Sequence, residues 1–175
     1  MIAVGTLKES KGYERLLRIV KRLKDENYHI KLYILGIGPL EDKIRKFIKD
    51  NDLEDTVFLL GYQTNPYKFV ARSDLFVCAS FAEGFSTATT EALILGVPVC
   101  TVEVSGMKEM LGTNNEFGII TENNEEALYK GITSLLDNPQ KLEYYRKQAE
   151  IRGKQFETKN TVEKVENMFK KIVQT

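Results

Sequence analysis

The sequence predicts an α/β fold: a doubly wound parallel sheet of about six strands, helices on both faces, and a helical C-terminal tail. Short runs recur that are apolar nearly throughout, as strands covered on both faces are. Between them lie longer segments whose apolar residues repeat at helical spacing. At 175 residues the chain suits one domain and can bury a full core.

The first run is Ile2–Val4, and after it Tyr13, Leu16, Leu17, Val20 and Leu23 recur on one helical face while Lys and Arg take the other. Ile30–Leu35 reads as the second strand, followed by a helix over Leu40–Lys49, with Pro39 suited to its first turn. Val57–Leu60 and a helix over Asn65–Ser73 come next, then Leu75–Ala79 and a helix over Thr87–Leu95, stopped by Gly96 and Pro98. Val97–Thr101 and Gly118–Thr121 complete the strands. From Asn124 onward only helical patterns remain: Ala127, Leu128, Ile132 and Leu135, then Leu142 to Ile151, then Val162, Val165, Met168, Phe169 and Ile172. Strand–helix alternation with right-handed crossovers gives a sheet whose ligands bind at the carboxyl ends of its strands. The functional residues are therefore expected just after each apolar run.

Charge excludes one class of partner. The 25 basic and 25 acidic residues cancel and are interspersed, so the field that gathers nucleic acid is absent. Cys78 and Cys100 both lie inside apolar runs without metal or redox spacing, which fits core thiols in a reducing cytoplasm. No apolar stretch approaches the roughly 18 residues of a membrane span, and no signal peptide is legible. The Lys-rich outer faces of the tail helices read as solvated surface. The only His, His29, precedes the second strand and is expected at the surface, away from the carboxyl ends. The chain reads "MIAVGTL" from its first residue, which is expected of a lobe cut from something longer.

Three loops offer chemistry. In "GTLKESKG", Gly5 and Gly12 permit tight turns, and Lys11 stands at the mouth of the following helix, where an ammonium reinforces backbone N–H groups toward an anion. In "GIGPLE" the third position of a dinucleotide fingerprint is Glu41, and no acid closes a second strand about 20 positions on; a plain tight turn is expected. In "EGFSTATTEA", Gly84 lets backbone approach a ligand, and the helix beginning at Ser86 or Thr87 supplies N–H donors and a positive dipole end. Glu83 and Glu91 bracket that phosphate cradle, eight positions apart. On one helix such acids would stand roughly 12 Å apart, wider than the roughly 5–9.5 Å of hydrolytic carboxylate pairs. They are expected instead to accept hydrogen bonds from hydroxyls on either side of a diphosphate, which describes a nucleotide sugar.

In order along the chain, "VGTLKESKG", "LGIGPL", "LLGYQTNPY", "EGFSTATTEALILGVPV", "SGMKEML" and "FGII" resemble the C-terminal lobe of retaining glycosyltransferases of the GT-B fold, in the large fourth family. The resemblance implies a Rossmann-like donor-binding lobe over residues 1–175, with residues 156–175 a C-terminal helix packing against an N-terminal acceptor lobe. It implies Glu83 on the donor sugar's hydroxyls, Glu91 on the ribose, and backbone N–H groups of Gly84, Phe85, Ser86 and Thr87 on sugar and diphosphate. Lys11 would neutralise the leaving diphosphate, with catalytic roles falling on Glu83 and Lys11; Gly5, Thr6, Gly61 and Tyr62 would lie nearby, the last two beside the base. It further implies transfer without a bound metal or other cofactor from a nucleotide-diphosphate sugar, with UDP the commonest nucleotide, to a polysaccharide or glycolipid acceptor. Cytoplasmic location, with peripheral attachment of the full-length protein to the inner membrane face, belongs to the same expectation.

Two departures stand out. Thr6 occupies the place of a usual Arg, which halves the cationic clamp, and Thr89 and Thr90 replace apolar residues. Two alternatives stay open: a nucleotide-sugar epimerase of similar frame, against which the paired glutamates speak, and a non-catalytic binding module with a degenerate site.

Overall fold

The computed structural model describes residues 1–156. Six strands, β1 (Ile2–Val4), β2 (Leu32–Leu35), β3 (Val57–Leu59), β4 (Phe76–Cys78), β5 (Val99–Val102) and β6 (Ile119–Thr121), pair in parallel in the order β3-β2-β1-β4-β5-β6. They alternate with helices α1 (Tyr13–Asp25), α2 (Glu41–Asp50), α3 (Tyr67–Val70), α4 (Thr87–Ile94) and α5 (Met107–Leu111), and α6 (Glu125–Leu136) and α7 (Pro139–Gln155) follow.

The continuous apolar runs have a direct cause. Successive strand side chains point to opposite faces, and here each face meets its own core. Ala3, Val77, Cys100 and Val102 pack with Leu16, Leu17, Val20, Ile44 and Ile132 on one side. Ile2, Phe76, Cys78 and Val99 pack with Ala92, Leu93, Met107, Met110 and Ala149 on the other. Both parities of the central strands are covered, and the one polar residue on them, Thr101 of β5, is fully buried with its hydroxyl donated to the Val102 carbonyl.

Helix starts follow local chemistry. Asn124 and Asn138 cap α6 and α7, each accepting from the backbone N–H three residues on at 2.7 Å and 2.9 Å, so orphan donors of the first turn are satisfied. Pro139 opens α7, where a missing N–H costs nothing.

Some expected bounds shift. The helix expected over Asn65–Ser73 shrinks to Tyr67–Val70 because Pro66 biases Asn65 away from helical geometry. The fifth strand starts at Val99, after Pro98, which cannot donate to the ladder but whose carbonyl accepts from Phe76 N at 2.8 Å. Helix α5 was not expected; five residues are too short to show a period. The expected helix over 156–175 lies outside the described residues apart from Phe156, the C-cap of α7.

Candidate functional site

β1 and β4 are neighbours, paired through Ile2 and Phe76, yet the chain leaves β1 toward β2 and leaves β4 toward β5. The two loops diverge, and a crevice opens between them at the carboxyl ends, the switch point where doubly wound sheets hold ligands. A cavity of about 300 Å³ occupies it, lined by Gly5, Thr6, Lys11, Tyr13, Ser80, Glu83, Phe85, Ser86, Thr87 and Glu91 among others. A larger void of about 700 Å³ lies at the opposite end of the sheet beside Met1, Lys31 and the exposed His29, away from every loop singled out above.

From the β1 side comes Lys11, the last residue of a single 3₁₀ turn, Glu9–Lys11. From the β4 side comes Glu83, which lies in the loop before α4 and not on the helix. Lys11 Nζ stands 2.6 Å from Glu83 Oε1, with their side chains 23% and 9% exposed. The Ser80 hydroxyl donates to the same oxygen at 2.6 Å, and the Cys78 thiol lies 3.5 Å from Ser80 Oγ. Beneath them Tyr13 donates its hydroxyl to the Gly5 carbonyl at 2.9 Å and so pins the β1 loop. Burial, with the Cys78 and Glu83 charges adding to it, pushes the Tyr13 phenol well above its ordinary value, so it stays a neutral donor.

The N-terminus of α4 closes the other wall. Ser86 caps it, its Oγ accepting from Thr89 N at 3.3 Å and from Thr89 Oγ1 at 2.9 Å. Thr90 Oγ1 turns back to the Ser86 carbonyl at 3.3 Å. The two threonines that depart from the family pattern are thus bonded to the cap residue. The N–H groups of Gly84, Phe85, Thr87 and Ala88 take no acceptor among the described residues, so four backbone donors and a helix dipole stand ready for an anion. Glu91, on the first turns of α4, faces the same cavity and accepts from Tyr67 Oη at 3.4 Å.

Thr6 is exposed on the cavity's rim. Tyr62, after β3, is 71% exposed and does not line the cavity. Phe81 and Phe85 are also exposed, at 54% and 57%. The glycines of "GIGPL" serve packing: a Cβ on Gly36 would stand 2.0 Å from the Gly5 carbonyl oxygen, and one on Gly38 2.5 Å from that of Leu7. The tight turn expected there is present, and it presses against the loop after β1.

Sequence reasoning missed Arg15. Its side chain is buried, only 2% exposed as a residue, and its guanidinium donates to the carbonyls of Ala79 at 2.6 Å and Ser80 at 2.8 Å and to Asn123 Oδ1 at 2.8 Å. It also lies 4.2 Å from the centre of the Phe81 ring. Burial lowers its affinity for the proton, and the fork of donors to fixed acceptors holds the charge in place. Gly12 assists with φ 65°, and Phe81 N donates to the Ser10 carbonyl at 2.8 Å. The segment that carries Ser80 and Glu83 is therefore fastened to the start of α1. One sign was legible: Arg15 sits four residues before Ile19 on a row that is buried.

Residues 1–152 match the family described as glycosyl transferases group 1. The chain is 37% identical over 159 residues to the N-acetylgalactosamine-N,N'-diacetylbacillosaminyl-diphospho-undecaprenol 4-alpha-N-acetylgalactosaminyltransferase of Campylobacter jejuni, covering 90% of this chain and 42% of that protein. It is 28% identical over 168 residues to a poly(ribitol-phosphate) alpha-N-acetylglucosaminyltransferase of Staphylococcus aureus, covering 95% and 34%. Among solved structures, a mutant of S. aureus TarM in complex with fondaparinux, alpha-GlcNAc-glycerol and UDP superposes with a TM-score of 0.83 at 28% identity, over 96% of this chain and 35% of that one. The pneumococcal O-GlcNAc transferase GtfA shares the fold, with a TM-score of 0.86 at 20% identity over 99% and 36%. The chain spans less than half the length of each of these relatives.

Proposed function

The chain belongs to the group 1 glycosyl transferases, and from that premise we propose that it is the donor-binding lobe of a two-lobed, retaining, metal-independent enzyme that moves a sugar from a nucleotide-diphosphate sugar to a polysaccharide or glycolipid acceptor. The observation that carries this reading is the meeting of Lys11, Glu83, Glu91 and the open N–H groups before and within α4 around one cavity at the switch point. In it, Glu83 accepts from the donor sugar's hydroxyls and Glu91 from the ribose. The N–H groups of Gly84 through Thr87, with the α4 dipole, hold the diphosphate. As the anomeric bond breaks, negative charge grows on the leaving diphosphate, and Lys11 with these preorganised donors stabilises it; one such donor is worth on the order of 3–4 kcal/mol at the barrier.

UDP as the nucleotide is supported by the UDP complex of TarM. The names of the Campylobacter and Staphylococcus relatives, which speak of a diphospho-undecaprenol and a poly(ribitol-phosphate), support a lipid-linked or polymeric acceptor. No helix among the described residues is long and apolar enough to cross a membrane; a cytoplasmic enzyme working at the inner membrane face is the setting proposed. The acceptor belongs to a second lobe, and alignment of acceptor with donor supplies about 7–11 kcal/mol of acceleration, so this chain by itself should bind donor and transfer nothing.

Calorimetric titration of the chain with UDP and UDP-sugars tests the reading, beside Glu91→Ala. A charge-assisted hydrogen bond is worth roughly 1.5–3 kcal/mol, so the variant should bind on the order of ten- to a hundredfold more weakly with its circular dichroism intact. An unchanged dissociation constant removes Glu91 from the site.

A further inference from the structure

At the centre of the site, ammonium and carboxylate are engaged with each other. Lys11 Nζ and Ser80 Oγ both converge on Glu83 Oε1 at 2.6 Å, and the carboxylate is buried enough that solvent screens the pair less than it would at the surface. The loop holding Glu83 cannot swing it away freely. Arg15 fastens Ala79 and Ser80 through their carbonyls, across a close approach that Gly12 permits, and the Phe81 N–H is held by Ser10.

A diphosphate arriving beside α4 meets this pair in a particular way. It draws Lys11 to itself, and it meets Glu83 as a like charge. A donor sugar offsets that repulsion, because its neutral hydroxyls replace the ammonium as hydrogen-bond donors to the carboxylate. A free nucleoside diphosphate has no such hydroxyls to offer. It also carries an additional titratable oxygen where the sugar was bonded, and so meets Glu83 with more negative charge.

We propose that Glu83, through its pair with Lys11, makes the site prefer the nucleotide-diphosphate sugar over the free nucleoside diphosphate. The inference rests on the reading that Lys11 and Glu83 meet such a donor. The same carboxylate that receives the sugar then weakens the hold on the leaving group once the sugar has gone, as Lys11 returns to its partner. Glu83 is in this sense a specificity-determining residue for substrate against product.

Glu83→Gln separates charge from shape, since the amide keeps an oxygen to accept from Ser80. The full chain and its variants are titrated by calorimetry with UDP, GDP and ADP and with their glucose conjugates. The variant should bind the nucleoside diphosphate that the wild type recognises at least about fivefold more tightly, while the sugar conjugate gains nothing or weakens. A residue with only a packing role would weaken both ligands. In a Lys11→Gln background the tightening should shrink, because no pair remains to be parted. Glu83→Ala should give the same sign for the bare diphosphate, so poor folding of one variant does not shield the proposal. Unchanged or weaker diphosphate binding by both Glu83 variants, or undiminished tightening without Lys11, overturns it. Wild-type chain that binds none of the six ligands overturns the proposed function instead, a result read before any variant is made.

Discussion

Gly12→Ala measures how tightly the loop bearing Glu83 is held. Gly12 has φ 65°, in the left-handed region, and a Cβ there would stand 1.9 Å from the Ala79 carbonyl oxygen. The left-handed conformation alone costs a residue with a side chain about 1–2 kcal/mol, and replacing glycine returns about 0.4–1 kcal/mol by restricting the unfolded chain. Gly61 provides the comparison, because it has φ 65° as well and its Cβ would meet nothing within 4 Å. Gly61→Ala should therefore lose only the balance of those two effects, about 0–1.5 kcal/mol. At Gly12 the backbone of Ala79 must move as well, and overpacking of that kind costs a further ~1–3 kcal/mol. Urea unfolding of the two variants, followed by far-ultraviolet circular dichroism and compared at equal m, should place Gly12→Ala lower by that difference. Because Ala79 leads directly to Ser80 and Glu83, Gly12→Ala should also weaken binding of a UDP-sugar, whose hydroxyls meet that carboxylate, more than binding of free UDP. Equal midpoints for the two variants would refute the claim that this close approach fastens the loop.

Other consequences are open to measurement. Arg15→Lys keeps the charge but loses the fork that reaches the Ala79 and Ser80 carbonyls and Asn123; it should destabilise by at least about 1–3 kcal/mol, the cost of leaving a buried acceptor unmade, and a urea midpoint at the wild-type value would count against the clamp. Burial pushes the Cys100 thiol up to about 12, so mildly alkaline iodoacetamide should leave Cys100 unmodified in the folded chain and alkylate it in urea, as peptide mass spectrometry can show. Glu26, hydrogen-bonded by Tyr129 and then by Arg22, and Glu126, bonded by Arg22, both have carboxyls held below their ordinary value. Folded-state values below the unfolded ones mean stability that is present above the ordinary glutamate range and is lost as pH falls through the depressed values. The melting temperature should therefore decline on acidification, and less steeply in Arg22→Met; parallel profiles for the two chains would show that this cluster contributes nothing.

The sequence by itself determined the parts. Apolar runs such as Leu75–Ala79 and the helical row from Tyr13 to Leu23 announce strand and helix through neighbours one to four positions away, and the structure keeps these elements to within a few residues. The chemistry of the loops was legible for the same reason: Gly84, the Ser86 cap and the acids Glu83 and Glu91 lie within one short stretch, where local rules for helix starts apply. Shorter or bent pieces such as α5 and the segment around Pro66 escaped because periodicity needs length.

Only tertiary structure decided what these parts do to one another. The placement of β1 beside β4 comes from the reversal of strand order, and it brings Lys11 to Glu83 across 72 positions of sequence. No local pattern encodes that distance. It likewise took packing to bury the Arg15 guanidinium against two carbonyls and to leave Tyr62 outside the cavity. A charged residue on a helix reads as solvated unless the element packed over it supplies acceptors. That element, the loop after β4, arrives only when the sheet has closed around the crossover.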